Sequence, residues 1–202
     1  MIMNTVKIWD NGISGRTLDE IVRAVRSGAV MVWPTDSLYG IACDALNPKA
    51  IERVCRLKGL NPDKNTLSVI CSDISQAAEY ARIEDAAFRL MKERTPGPYT
   101  FILRAASGLP RAFKGRKTVG IRIPDREICR EVAKVLGNPL LNSSIDYEDE
   151  DYAVSPGLVA EIYDGRADIF IDGGEGGTTP STVIDCTSPD FPIVRVGLQA
   201  DL

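Results

Sequence analysis

AVMVWPTDSLYGIACDALNPKAIERVCRLKGL (residues 29–60) is the stretch that sets the fold class. Its first residues, 29–33, are an unbroken apolar run of strand length, and Pro34, which cannot donate to a sheet ladder, ends that run. Asn47 and Pro48 supply an N-cap and a first-turn proline. The helix they open turns Ile51, Val54 and Cys55 to one side and stops near Lys58 and Gly59. A buried strand, a polar turn and an amphipathic helix in that order predict an α/β domain with its ligands at the strand ends.

Outward from this stretch the alternation continues. On the N-terminal side, Thr17 and Glu20 predict a capping box, Leu18, Ile21, Val22 and Val25 form one apolar stripe, and Gly28 closes that helix. On the C-terminal side the pattern predicts extended runs at 66–71, 99–104, 118–123, 139–142, 169–171, 181–185 and 193–196. Helices are predicted over 73–81 and 85–93, from Pro124-Asp125 to Leu136-Gly137, and from Ser155-Pro156 onward; Pro96-Gly97-Pro98 forbids continuation of the second. Several connections are too short for a parallel crossover, so the sheet is expected to be mixed. No repeat, low-complexity linker or domain boundary interrupts the chain, which reads as a single domain over 1–202.

Composition narrows the chemistry. The 202 residues include 24 basic and 28 acidic side chains, a formal charge of -4, with 44% apolar residues. That is a folded composition without the basic excess of a protein that blankets nucleic acid. Histidine is absent. Ser-His-Asp and Cys-His catalysis, histidine metal ligation and imidazole switching are therefore excluded within this chain; proton transfer falls to carboxylates, Lys, Tyr, Cys, substrate or water. The five cysteines are widely spaced with no CxxC pair, and are read as reduced and mostly buried. No apolar window of about 18 residues and no basic-then-apolar leader is present, so the expected location is the cytoplasm, away from membranes.

Several segments carry candidate chemistry, each with a plainer alternative. PTDSLYG (34–40) is either a hydroxyl- and carboxylate-stabilised turn or a binding loop at a strand end. Lys58 either complements its helix dipole or holds phosphates, together with Lys64 in the following polar turn. The basic run 111–117 either grips phosphates or faces water. Arg122 differs, because it alternates with Val119, Ile121 and Ile123 along a strand and so points at an anion or a carboxylate. NSSID (142–146) ends another strand with hydroxyls and a carboxylate. The acidic residues from Asp146 to Asp151 read as a mobile solvated loop, with Mg²⁺ binding as the other option. Neither a GxxxxGK[ST] loop nor a GxGxxG fingerprint is present.

Taken in order, PTDSLYG (34–40), KGL (58–60), PGPYTFIL (96–103), TVGIRIP (118–124), NSSID (142–146), STVID (181–185) and RVG (195–197) resemble the YrdC/YciO family over 29–197. Its best-known members make threonylcarbamoyl-AMP from L-threonine, bicarbonate and ATP for tRNA modification. The phrase RLMKERTPGPYTFILRA (89–105) and the turn 173–183 look closer to the YciO branch. The resemblance implies an open, twisted mixed sheet with a large concave basic cavity. It also implies roles: Thr35, Ser37 and Tyr39 at the amino-acid and adenylate end with Asn142, Ser181 bounding that pocket, and Arg122 on the threonine carboxylate. Lys58 would neutralise triphosphate charge, Thr118 and Ser144 would reach the nucleotide, Arg195 would help hold ATP, and Mg²⁺ would accompany the ATP. Two departures stand out. The synthases carry Lys-x-Arg and Ser-x-Asn, whereas here Lys58 is followed by Leu60 and Ser144 by Asp146. Both changes disfavour a triphosphate, and Lys64 is the candidate replacement for the missing arginine.

Three readings follow. The first is an adenylate-forming nucleotidyltransferase of the threonylcarbamoyl-AMP synthase type. The second is a non-catalytic module holding double-stranded RNA or tRNA by shape and phosphate contacts, which the acidic residues 146–151 oppose. The third is a paralogue acting on a related adenylate.

Overall fold

Capping chemistry starts the helices where the sequence places it, with one shift. In the computed structural model, which describes residues 3–8, 12–60, 68–109, 113, 115–146 and 150–199, helix α1 (Gly15–Arg26) is capped by Ser14, whose hydroxyl accepts from the Thr17 N–H. The cap therefore lies one turn before the predicted Thr17 box, because Ser14 offers the same oxygen to the same kind of unsatisfied donor. In α2 (Pro48–Lys58) Asn47 caps the start, and Gly59, in the left-handed region at φ 61°, caps the end. Asp73 and Ser155 cap α3 (Ile74–Tyr80) and α7 (Pro156–Tyr163) in the same way. The other helices are α4 (Asp85–Arg94), α5 (Glu127–Leu136) and α6 (Glu150–Val154).

The strands are β1 (Asn4–Lys7), β2 (Met31–Pro34), β3 (Tyr39–Asp44), β4 (Ser68–Ile70), β5 (Ala81–Arg82), β6 (Tyr99–Ala105), β7 (Thr118–Arg122), β8 (Leu140–Ser144), β9 (Ile169–Asp172), β10 (Thr182–Asp185) and β11 (Ile193–Arg195). They form one open sheet in the order β1-β9-β2-β3-β8-β4-β7-β6-β10-β11, with β5 flanking β6. The sheet is mixed, as expected: β9 pairs parallel with β1 and β2, β4 with β7 and β10 with β6, while β2–β3, β3–β8, β4–β8 and β6–β7 are antiparallel. Pro34 is the last residue of β2, as expected; it pairs with Tyr39, and the chain turns through residues 35–38 into β3. All six β3 residues are buried, so β3 has none of the apolar–polar alternation that marks a half-exposed strand.

Alternate residues of these strands meet different partners. One face, with Val32, Ile41, Val69, Phe101, Ile121 and Leu141, is packed into the larger core against α2, α3, α4 and α7. The other face is covered over part of its width by α1 and α5, whose Leu18, Ile21, Val22, Val25, Ile128, Val132 and Leu136 pack on Met31, Trp33, Ile70, Leu140 and Ile171. Each such side chain contributes about 1.5–3 kcal/mol on burial. Beyond these helices the same face carries Ser68, Thr100, Gly120, Arg122 and Asn142 instead, and these line a cavity.

Arg53 of α2 pins the edge of this frame by a two-pronged ion pair with Asp168, at 2.7 and 3.1 Å, and Asp168 also accepts from the Val30 N–H at 2.7 Å. Burial pushes the Asp168 carboxyl up, but the Arg53 hydrogen bonds, the Val30 N–H and the Arg53 charge together outweigh it and leave the pKa lowered. A carboxylate held below its unfolded pKa of about 4 stabilises the fold fully above that pH and loses its contribution as pH falls through the folded value. Asp168→Asn should therefore lower the melting temperature at neutral pH, and the difference from wild type should shrink as the pH is taken down through the carboxylate range; a difference that does not depend on pH counts against this staple.

Candidate functional site

The cavity has a volume of about 720 Å³ and lies on the part of the sheet that α1 and α5 leave bare, walled by residues of β4, β6, β7, β8, β10 and β11 and by the end of α2. Lys58, Arg122, Asn142, Ser144, Ser181 and Arg195 of the expected site all line it. Thr35, Ser37, Tyr39 and Thr118 do not. Lys64 lies outside the described residues.

Arg122 is the last residue of β7 and only 4% exposed. Its strand neighbours on the same face are Gly120 and, further out, Thr118, whose half-buried side chain stops short of the cavity. The hairpin loop between β2 and β3 grips one end of the guanidinium. Nη2 donates to Thr35 Oγ1 at 3.2 Å and to Ser37 Oγ at 2.7 Å, and forms an ion pair with the Asp36 carboxylate. The second oxygen of Asp36 accepts from the Asp125 N–H at 2.7 Å, so the carboxylate is itself held. A buried guanidinium needs such a counter-charge. Nε of Arg122, by contrast, is buried without a partner among the described residues. The loop thus fixes the guanidinium through Nη2 in the cavity wall, where its charge suits a ligand oxyanion.

This arrangement changes the meaning of PTDSLYG. Thr35 and Ser37, expected to touch substrate, sit behind Arg122 as its holders, and Asp36 is the member that a reading of the sequence missed. An Asp in a turn is ordinary. The signal that leads to it is the strand arginine, which requires an anion nearby. Tyr39 is fully buried, stacks on Phe170 with ring centres 5.8 Å apart, donates to the Gly174 carbonyl at 2.7 Å and accepts from the Gly173 N–H at 3.2 Å. Burial raises its pKa. It fastens the 173–174 turn and does not reach the cavity.

At the opposite wall Lys58 projects from the C-terminus of α2 with its side chain 11% exposed, and its Nζ donates to Asp146 Oδ1 at 2.5 Å. Asp146, at the end of β8, is itself 82% exposed. Leu60, which stands where the resembling synthases have arginine, turns away. Its N–H reaches the Cys55 carbonyl at 2.8 Å past Gly59, and its side chain packs on the larger core. This is the apolar contact that accompanies a glycine-capped helix end.

Asn142 carries a donor whose direction is set from behind. Trp33 Nε1 donates to Asn142 Oδ1 at 2.9 Å, which assigns the carbonyl end of the amide and leaves Nδ2 as the group without a protein partner among the described residues. Gly40 makes room for it: a Cβ there would run into Asn142 Oδ1. At the far wall the hydroxyls of Ser181 and Thr100 lie 2.8 Å apart. Arg195 donates from Nε and Nη2 to the Ser181 carbonyl at 3.1 and 2.8 Å, and from Nη2 to its hydroxyl at 3.1 Å. Three cations, one carboxylate and a row of hydroxyl and amide groups therefore face one space. Among the described residues no group of three or more His, Cys, Asp or Glu side chains can hold a metal ion, and no helix is long and apolar enough to cross a membrane.

The family model for Sua5, YciO and YrdC, described as telomere recombination, matches residues 23–197. The chain is 37% identical to YciO of Escherichia coli K12 over 91% of its own length and 90% of that protein, and 31% identical to threonylcarbamoyl-AMP synthase of Pyrococcus abyssi over 86% of its length and 52% of that protein. The crystal structure of E. coli YciO superposes with a TM-score of 0.89 at 34% identity, covering 98% of this chain and 97% of that one. P. abyssi Sua5 complexed with L-threonine superposes with a TM-score of 0.83 at 28% identity, covering 98% of this chain and 58% of that one.

The support behind the cavity is directly testable. Removing Asp36 leaves the Arg122 charge buried and uncompensated, so Asp36→Ala should cost about 3–5 kcal/mol in urea unfolding. Gly40→Ala, which forces Asn142 aside, should cost about 1–3 kcal/mol. Wild-type stability in either variant means that the contact is not made.

Proposed function

We infer the task of this protein from its family: the chain belongs to the Sua5/YciO/YrdC family, and its cavity reads as the site of an adenylate-forming enzyme of the threonylcarbamoyl-AMP synthase type. The observation that carries this is Arg122, a buried guanidinium clamped at Nη2 in the wall of a cavity that also holds Lys58 and Arg195. A guanidinium at a cavity wall suits a carboxylate, and the Sua5 relative is described in complex with L-threonine.

In this reading the threonine carboxylate accepts from Arg122. The amine, having given its ammonium proton to solvent, attacks the carbon of CO₂ as one C=O pair moves onto oxygen, and a second proton leaves nitrogen for solvent to give the carbamate. Bicarbonate supplies the CO₂ by losing its hydroxyl as water with a proton from solvent. A carbamate oxygen then attacks the α-phosphorus of ATP as the bond to pyrophosphate breaks. Such a displacement needs alignment and positive charge more than an acid–base residue, which agrees with a chain without histidine. Lys58 and Arg195 supply charge at the phosphates, Ser144 and Asn142 supply donors, and Ser181 with Thr100 bounds the pocket. In this reading magnesium enters with the nucleotide, as the Mg·ATP substrate. The product would serve the threonylcarbamoyladenosine modification of tRNA.

Mass spectrometry of the protein incubated with ATP, Mg²⁺, bicarbonate and L-threonine, with pyrophosphate followed in parallel, tests the reading. Threonylcarbamoyl-AMP and pyrophosphate should appear together. Arg122→Lys, which keeps the charge but loses the fork, should weaken threonine binding by about tenfold or more while ATP binding changes little. Failure to bind either threonine or a nucleotide, with double-stranded RNA bound instead, overturns it in favour of an RNA-holding task.

A further inference from the structure

Asn142 stands at the middle of the cavity floor. The strand register puts it in one row with Ser68, Gly120 and Ile102, on β8, β4, β7 and β6, and all four line the cavity. The neighbouring row on one side, about 7 Å along the strands, is Leu140, Ile70 and Arg122. On the other side β8 runs on to Ser144, and the chain then reaches Asp146 with its partner Lys58. The Asn142 row therefore lies between the cation that suits a carboxylate and the groups that suit phosphates. A bond joining the two ends of a ligand has to form there.

What this row offers is narrow. Asn142 is 5% exposed, and Trp33 Nε1 donates to its Oδ1 at 2.9 Å, with Gly40 leaving the room for that contact. Only the N–H groups of Nδ2 are left for the cavity. Ser68 spends its hydroxyl proton on the Asn142 carbonyl at 3.2 Å, and Gly120 and Ile102 have no polar side-chain atoms. The row thus presents one neutral donor and no titratable side chain. Such a donor suits a small oxyanion of which one oxygen must remain a nucleophile. An amide orients the group, whereas a cation in contact would hold it about twice as strongly and draw off the charge that attacks. The row also suits a group that acid destroys: a carbamate reverts to amine and CO₂ once its nitrogen is protonated, and no acid stands in this row.

We propose that Asn142 Nδ2 binds the one-carbon oxyanion of the reaction, the carbamate formed from the substrate amine and CO₂, and that Trp33 is the positioning residue that keeps this donor turned to the cavity. The inference rests on the synthase reading above and deepens it, by giving the one-carbon substrate a place of its own. One carbamate oxygen accepts from Nδ2. The other attacks the α-phosphorus; the new P–O bond forms as the bond to the bridging oxygen breaks, and that electron pair leaves with pyrophosphate.

Pyrophosphate release at saturating L-threonine and Mg·ATP, titrated with bicarbonate in CO₂-depleted buffer, tests the assignment on the full chain. Asn142→Leu, close in shape and uncharged, should raise the KM for bicarbonate by about tenfold or more, the loss of one hydrogen bond to a charged group. Trp33→Phe, which keeps Asn142 but frees its amide to turn, should raise it by about threefold or more. Calorimetry with L-threonine and with Mg·ATP should give dissociation constants within about twofold of wild type in both variants, a selectivity that a merely structural role would not show. Circular dichroism checks folding, and Trp33→Phe decides if Asn142→Leu does not fold. A wild-type KM for bicarbonate in a folded variant, or equal losses for all three substrates, overturns the proposal and leaves the synthase reading standing. A wild type that forms no threonylcarbamoyl-AMP at any bicarbonate concentration overturns that reading and the proposal with it.

Discussion

A sheet wider than the two helices available to cover one of its faces is the constraint from which the site follows. α1 and α5 pack on Met31, Trp33, Ile70, Leu140 and Ile171, and beyond their reach none of the described helices is packed on the same face. Large apolar side chains there would stay in water, so most outward positions of β4, β6, β7 and β8 are serine, threonine, glycine, arginine and asparagine, with Ile102 of β6 among them. The opposite face is mostly apolar, because α2, α3, α4 and α7 cover it. The cavity is the uncovered area of a sheet whose other surfaces are satisfied.

Within that area, burial makes charge expensive and so demands support for every charged group. Arg122 is held through the hairpin loop 35–38 and Asp36, and Arg195 is laid on the carbonyl and hydroxyl of Ser181. Asn142 is oriented by Trp33 through the gap at Gly40. Lys58 differs in having an exposed partner, Asp146. The site therefore combines groups held by buried partners with one held from the surface. Pre-orientation lowers the cost of binding and reaction.

Much of this was legible in the chain. Capping residues at Asn47 and Ser155, glycines closing α2 and α5, and apolar periodicity located most helices and the strands around 99–105, 118–122 and 169–172. Arg122 stood out as a charge alternating with Val119 and Ile121, and Lys58, Asn142, Ser144, Ser181 and Arg195 reach the cavity together. Other features were hidden for physical reasons. β3 is buried on both faces and carries no alternation. The acidic stretch after Asp146 was expected to be a loop, but α6 begins at Glu150. Thr35, Ser37 and Tyr39 have the polar atoms of ligand-binding residues, yet those atoms are used by Arg122, the loop itself and the 173–174 turn.

The sequence by itself determined the α/β alternation, the mixed sheet, the absence of imidazole chemistry and the family, since these depend on local periodicity, composition and ordered motifs. The tertiary structure alone decided which polar residues face the cavity and which hold the others in place. Asp36 with Arg122, Trp33 with Asn142 and Lys58 with Asp146 are separated by 86, 109 and 88 residues. No local rule relates them. They meet because strand order brings β2, β3, β7 and β8 close together in one sheet, and because the buried charge and amide groups must find partners there.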